Sequence, residues 1–335
     1  EVYHKKAVKG KRACWNCPIA CWRYVKIESG PYAGIELERG PEYETIAALG
    51  SLLLIDDIEA IAKANYLCNH FGMDTISTGV TIAFAIECYK RGILSENEIG
   101  FKLDWGDPGA VFKLIEIIGE RKGFGDVLAE GVRRAAEKIG REAESLALHV
   151  KGLEMPMHDP RAFVGMGLQY ATSNRGACHL QGLVLRIEQG ERMLDLKIYQ
   201  RADRFETKDK GRIVTIMQNW HEILDSAIIC KFFNIPPGHV AGVISLVTGW
   251  KVTVSDLLEI GERIFNLKRL FNVNCGISRK DDTLPKRFLE EPLEEGACKG
   301  SVVKLDEMLQ EYYSYRGWDE NGKPTEETLR RLKLI

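Results

Sequence analysis

Charge of one sign, long apolar runs and an even cysteine count are all missing here, and each absence excludes a class of protein. The chain sets 46 Lys and Arg against 48 Asp and Glu, a formal net charge of −2. Such a balance generates no global field to draw it onto nucleic acid or an anionic membrane. No stretch nears the ~18 consecutive apolar residues a membrane-spanning helix needs. The opening Glu1-Val2-Tyr3-His4-Lys5-Lys6 is polar and unlike a secretory signal. Its first residue is not Met, so the expectation is a piece of a longer protein. Nine cysteines, an odd number, argue against a secreted disulfide framework. They fit a reducing cytoplasm, where close-set thiols bind metal or do redox work.

What is present is a chain of 335 residues, 45 % hydrophobic, long enough for two core-bearing domains. Helical signals dominate. Glu42–Leu54 carries apolar residues at helical intervals. Asp56 or Asp57 caps a helix ended by Gly72, and Asp74 precedes Thr75–Arg91. Asp107-Pro108 opens Gly109–Glu120, and Asp126 opens Val127–Ile139. With no period-two pattern, the first half reads as helical throughout.

Two prolines in Met155–Arg161 interrupt the helices, which places a boundary near residue 148: one helical domain over 1–148, a second over 149–335. Further helices are expected around Phe163–Thr172, Ala202–Ile223, Ala227–Phe233, Ala241–Thr248 and Ser255–Asn272, the last capped by Ser255. Lys280–Leu289 reads as a charged loop, and Leu305–Arg316 and Thr325–Leu334 as closing helices.

The stretch that carries chemistry is Cys14-Trp15-Asn16-Cys17-Pro18-Ile19-Ala20-Cys21. Three thiolates spaced x2 and x3 can meet on one inorganic centre, with Cys230 the best distant fourth. Three local cysteines plus one remote favour a four-iron, four-sulfide cluster. Zinc prefers two close pairs. A third reading, unliganded thiols, suits Cys68 and Cys88 better than this motif, whose Trp15, Pro18 and Trp22 break any amphipathic pattern.

Four more clusters stand out. In Arg39–Glu44, two carboxylates flank Tyr43 at a helix start; Glu42 reads as a cap and Glu44 as a pocket residue. Asp74–Gly79 is an N-terminal box whose aspartate could instead accept from a ligand's N–H groups. Asn174–His179 is a polar loop after a helix, the kind of place where functional groups gather. Asp225–Cys230 reads as a second helix-capping aspartate leading to the candidate fourth cysteine. Two such loops facing one another would form an interdomain cleft, the usual place for a cofactor.

The sequence resembles the tungsten-containing aldehyde:ferredoxin oxidoreductase family. The resemblance runs through Cys14-x2-Cys17-x3-Cys21, Gly40–Thr45, Gly72–Ser77, Lys151–Glu154, His158–Arg161, Ser173–His179 and Arg279–Phe288. It implies the two mostly α-helical domains of that family, packed around a cleft, without the N-terminal β-rich domain that forms a base under a tungsten bis-pyranopterin. By the same resemblance Cys14, Cys17, Cys21 and Cys230 hold a 4Fe-4S cluster. Asp74 and Asp225 bind the pterins, and Glu44, beside Tyr43, lines the aldehyde pocket with His179.

The pattern departs at Ile228-Ile229, where the family has Gly-Leu, and glycine lets backbone approach a ligand closely. A homodimer is compatible with the resemblance, but no Glu and His pair matches the family's subunit-bridging iron. The implied activity is oxidation of an aldehyde to a carboxylic acid, with tungsten or molybdenum as the metal and ferredoxin as acceptor. His179 then holds the carbonyl oxygen and Glu44 takes the proton. Two other readings stand beside it. One is a tungsten or molybdenum subunit of a carboxylate or aromatic thioester reductase complex; the other is a non-catalytic iron–sulfur relay module.

Overall fold

A computed structural model describes residues 1–140 and 142–335. The chain divides into two compact units, Glu1–Met157 and His158–Ile335. Both are mostly helical.

The first unit is not helical throughout. After α1 (Val2–Lys6) comes a three-stranded antiparallel sheet of β1 (Val8–Arg12), β2 (Trp22–Lys26) and β3 (Glu36–Leu37), in that order. The physical reason it escapes a periodicity search is that its core is small and one-sided. Val25, Ile27, Ile35 and Leu37 bury one face against Ala7 and Ala62. Across the sheet, Arg12 pairs with Glu38 and Lys26 with Glu36. β1 itself reads Val-Lys-Gly-Lys-Arg, with no alternation to detect.

The rest of this unit is α2 (Tyr43–Leu49), α3 (Ile58–Phe71), α4 (Thr75–Lys90), α5 (Glu96–Ile99), α6 (Pro108–Gly119), α7 (Phe124–Leu128) and α8 (Gly131–Ile139). Asp57 caps α3 through Glu59 N–H, and Gly72 closes it in the left-handed conformation. The helix expected over Val127–Ile139 is split in two. α4 is central, with Thr78–Ile86 and Cys88 all buried. Its Gly79 is required by contact: a Cβ there would lie 2.5 Å from the Ala48 carbonyl oxygen. α2 therefore lies directly on α4. A short hairpin, β4 (His149–Val150) and β5 (Leu153–Glu154), ends the unit.

The second unit contains α9 (Val164–Thr172), α10 (Val184–Glu188), α11 (Lys210–Ser226), α12 (Pro237–Thr248), α13 (Val254–Asn274), α14 (Lys286–Glu290), α15 (Leu305–Arg316) and α16 (Glu326–Arg331). α11 packs against α13 and α15. Its interior is polar. Arg316 donates to Asn219 at 2.5 Å and Gln218 at 2.8 Å, and the buried Lys210 ammonium pairs with buried Glu188. Arg269 meets both oxygens of Asp282 at 2.9 and 2.7 Å, so the expected charged loop contributes a fully buried anion.

Three further expectations are corrected here. α11 starts at Lys210, not Ala202, because the segment before it is irregular. No helix forms over Ala227–Phe233; only a single 3-10 turn, Lys231–Phe233, follows α11. The cap of α13 is Thr253, which exchanges hydrogen bonds with Asp256 in a reciprocal box, rather than Ser255. Among the described residues no helix is long and apolar enough to cross a membrane.

Candidate functional site

The three clustered cysteines occupy the loop that joins β1 to β2. Strand pairing closes that loop at Arg12↔Trp22, so the antiparallel ladder fixes both ends. Inside it the backbone is irregular: Cys17 N–H bonds the Cys14 carbonyl, and Asn16 and Ala20 take positive φ of 54° and 48°. Arg23 fastens the exit. One of its guanidinium nitrogens donates to the carbonyls of Ala20, Cys21 and Trp22 at 3.1, 2.8 and 3.2 Å. The Arg39 guanidinium carbon lies over the Trp22 ring, 3.5 Å from its centroid.

None of the nine cysteines is in a disulfide. Three thiols within eight residues, held in a tied loop without cross-linking, form a donor set suited to a soft metal centre. Cys68 is different: burial pushes its thiol up to about 12, so it stays protonated and inert.

From this loop the first unit leads stepwise to the other candidate residues. Gly40 N–H donates to the Arg23 carbonyl at 2.7 Å, which anchors the chain entering α2. Tyr43 and Glu44 then open α2 and clasp one backbone residue from both sides. Tyr43 OH donates to the Met157 carbonyl at 3.1 Å, and Met157 N–H donates to Glu44 Oε2 at 2.8 Å. Burial raises the Tyr43 phenol above its ordinary value, with the Glu44 charge adding to it. One residue on, Thr45 Oγ1 lies 2.8 Å from Thr75 Oγ1, next to Asp74. Asp74 caps α4 as expected, accepting from Ser77 N–H through Oδ1 at 2.8 Å.

Glu154 was missed as a site-building residue. It is buried, accepting from Ser77 OH at 2.8 Å and from Val132 N–H at 2.9 Å, and it braces the turn that carries Asp74. A lone acid amid apolar neighbours was the available signal.

In the second unit Asp225 does not cap a helix start. It stands in the last turn of α11, exposed, with both carboxylate oxygens on Lys231 Nζ at 2.9 and 3.0 Å. The error is one of direction: a carboxylate before a short apolar run reads as an N-cap, but here Asp225 is the second-last residue of a seventeen-residue helix. Lys231 also donates to the Leu180 carbonyl at 2.9 Å. It thereby joins the Asp225–Cys230 segment to the loop of His179.

That loop is held from below by Gln169. This fully buried amide donates to the carbonyls of Cys178 and His179, both at 2.8 Å, and accepts from Val184 N–H at 3.0 Å. Gln169 was also missed, though a glutamine inside the wholly buried α9 was a visible anomaly. The His179 ring sits 5.4 Å from that of His158, tilted by 50°.

Cys230 is exposed and borders a cavity of about 20 Å³ shared with Met217, Trp220 and His221. That is room for about one water and no cofactor. The departure at 228 also has a different cause from the one expected. Ile228 has φ +57°; its N–H bonds the Asp225 carbonyl and Ile229 N–H bonds the Leu224 carbonyl, as in a Schellman cap. Glycine at this place answers to backbone conformation rather than to close approach of a ligand.

The family profile described as "Aldehyde ferredoxin oxidoreductase, domains 2 & 3" matches residues 1–334. Tungsten-containing aldehyde ferredoxin oxidoreductases of Pyrococcus furiosus and Thermococcus kodakarensis are each 42 % identical over 100 % of this chain and 54 % of theirs. An "Aliphatic sulfonate oxidoreductase, WOR-like subunit" of Pyrococcus furiosus is 33 % identical over 98 % of this chain and 51 % of its own. Among solved structures, the "Active site complex BamBC of Benzoyl Coenzyme A reductase" superposes with a TM-score of 0.80 at 23 % identity, covering 98 % of this chain and 53 % of that one. That likeness is one of fold. The chain thus spans about half the length of the curated relatives it matches. It belongs to the aldehyde ferredoxin oxidoreductase family, in the part described as domains 2 and 3.

Proposed function

We propose that the protein carrying this chain oxidises aldehydes to carboxylic acids and passes the electrons to ferredoxin. It does so with a tungsten bis-pyranopterin and a 4Fe-4S cluster, in the cytoplasm. The observation that carries the reading is 42 % identity to tungsten-containing aldehyde ferredoxin oxidoreductases along the whole of this chain. The 33 % relative that acts on sulfonates supports the runner-up, an oxidoreductase subunit of other substrate class, less well.

In this reading Cys14, Cys17 and Cys21 on the β1–β2 loop, together with Cys230, hold the cluster. Asp74 offers its carboxylate to one pterin and Asp225 to the other, Asp225 sharing it with Lys231. The reaction consumes an aldehyde and a water and releases a carboxylate, three protons and two electrons. When bound, the tungstopterin would supply the two-electron chemistry and the cluster would carry electrons one at a time.

The side chains position and move protons. The imidazole of His179 donates to the aldehyde oxygen, and its loop is kept in place by Gln169 beneath. Glu44 takes the proton released as water adds, with its carboxylate oriented by Met157 N–H.

Glu44→Gln in the full-length enzyme tests this. Gln keeps an acceptor for Met157 and removes the base. Aldehyde-dependent reduction of benzyl viologen should fall by about 10²–10⁴-fold, the usual contribution of general base catalysis, while tungsten and iron contents stay normal. Retained activity would overturn the assignment of Glu44. Iron without tungsten or pterin in the wild-type preparation would favour the electron-relay reading instead.

A further inference from the structure

His158 has no part in the proposed chemistry, yet its imidazole lies beside that of His179. The ring centroids are 5.4 Å apart and the planes are tilted by 50°. A ring nitrogen of one comes within 4.8 Å of a ring nitrogen of the other. Both side chains are half-buried.

The surrounding structure fixes this pair. α9 anchors both backbones from adjacent, fully buried residues: Gln169 donates to the His179 carbonyl at 2.8 Å, and Tyr170 OH donates to the His158 carbonyl at 3.2 Å. α9 is itself held at its start, where buried Glu188 accepts from Gly165 N–H at 2.9 Å and from Met166 N–H at 3.3 Å. Beyond His158 the chain is tied by Arg161, whose guanidinium meets the Asp159 carboxylate at 2.6 Å and donates to the Glu291 carbonyl at 2.8 Å. One loop precedes α9 and the other follows it, and they meet at their histidines.

What the pair can do follows from its dimensions. An imidazole N–H lies in the plane of its ring. Parallel rings would aim their donors along parallel planes, whereas tilted planes intersect, so both donors can converge on one atom. At about 2.9 Å per hydrogen bond, nitrogens no more than 4.8 Å apart reach a single oxygen at up to about 110°, close to the spread of a carbonyl's two lone pairs.

We infer that His158 and His179 bind the same oxygen, the carbonyl oxygen of the aldehyde, which makes His158 a further catalytic residue. The inference rests on the proposed oxidation and adds a second donor to it. As water adds to the carbonyl carbon and Glu44 takes the water's proton, the π pair of the C=O bond moves onto that oxygen. Two N–H groups then face the developing charge, and neither gives up its proton. A donor aimed where charge develops is worth about 10²–10³ in kcat.

The full-length enzyme carrying His158→Phe or His158→Gln tests the assignment. Phe keeps a ring and leaves the backbone carbonyl to Tyr170, but has no donor; Gln restores an N–H. With acetaldehyde as substrate, the kcat for benzyl viologen reduction should fall about 10²–10³-fold in His158→Phe and return to within about tenfold of wild type in His158→Gln, at unchanged tungsten and iron contents. A His158→Phe kcat within about twofold of wild type overturns the inference. So does an equal loss in both variants, which marks a packing role. A second measurement leaves His158 intact. Acetone offers the same carbonyl without the C–H to be oxidised, and its infrared carbonyl stretch reports the donors that reach it. The stretch should be lowest on wild type, higher on His179→Phe, and higher still in hexane. A stretch on His179→Phe equal to that in hexane, or no lowered band on wild type, rules His158 out. If wild type shows no aldehyde-dependent viologen reduction, the functional reading fails separately, and the acetone stretch still decides whether two imidazoles share one oxygen.

Discussion

α4 and α11 each carry one of the two aspartates assigned to the same cofactor, yet they are built on opposite plans. The buried positions of α4 are apolar or small and hold no carboxylate, histidine or lysine, and its aspartate sits at the start, where the helix's own N–H groups use one oxygen. α11 buries Lys210, Gln218, Asn219, His221 and Glu222, and its aspartate sits at the end, held by Lys231. α4 is held by packing and α11 by a polar network, so the same residue type has different neighbours to answer to. An apolar helix tolerates changes of pH and salt. A helix held by buried polar groups does not.

The largest expected consequence is in pH dependence, and it belongs to α11 alone. Burial drives His221 down to about 4, with its Nδ1 against the Met217 carbonyl. A histidine whose folded value lies below the unfolded one is disfavoured as a cation. Its contribution is whole above about 6.5 and declines as pH falls toward 4. The loss across that window is about 3 kcal/mol, taking 1.36 kcal/mol for each unit. Urea unfolding at pH 7 and pH 4.5 measures it, with His221→Gln as the control that flattens the slope. Equal acid sensitivity in wild type and variant would mean that α11 is no more pH-dependent than α4.

A smaller effect separates the two aspartates. Asp74→Ala removes a helix cap and should cost about 1 kcal/mol. Asp74→Asn keeps the cap and removes only the charge, so stability should hold within a few tenths. If the charge matters for the pterin, both variants lose cofactor while only the first loses stability. Asp225→Ala, which breaks an exposed pair, should change stability by less than about 1 kcal/mol. A stability loss at Asp225 as large as that at Asp74 would erase the distinction.

The same contrast explains what could be read beforehand. α3, α4, α6 and α15 were legible because their starts are signalled by Asp57, Asp74 and Asp107 or their apolar periods are clean, and the capping oxygens are where the pattern places them. The cysteine motif stood out by its spacing and Glu44 by its place at a helix start, and the structure puts the motif on the β1–β2 loop and Glu44 against Met157 N–H. The sheet beneath the motif was not, since β1 has no alternation and its core is only a few residues. Asp225 was misread because local sequence does not tell a helix's last turn from its first when the helix interior is polar. Gln169 and Glu154 act through backbone groups many residues away, and no local window contains such partners.

The smallest effect is the most direct measure of how α11 ends. Ile228 is β-branched, 93 % exposed and in the left-handed region, a conformation that costs non-glycine residues about 1–2 kcal/mol. Glycine would remove that strain but would lose more backbone entropy on folding, by about 0.5–1 kcal/mol. Ile228→Gly should therefore stabilise the protein by about 0.5–1 kcal/mol, read as a higher urea midpoint at unchanged m-value. α4 offers no such gain, since its ends are already in relaxed conformations with their caps in place. Destabilisation by the same substitution in the full-length enzyme would show that the exposed isoleucine is covered there. The end of α11 would then be held by packing after all, as α4 is.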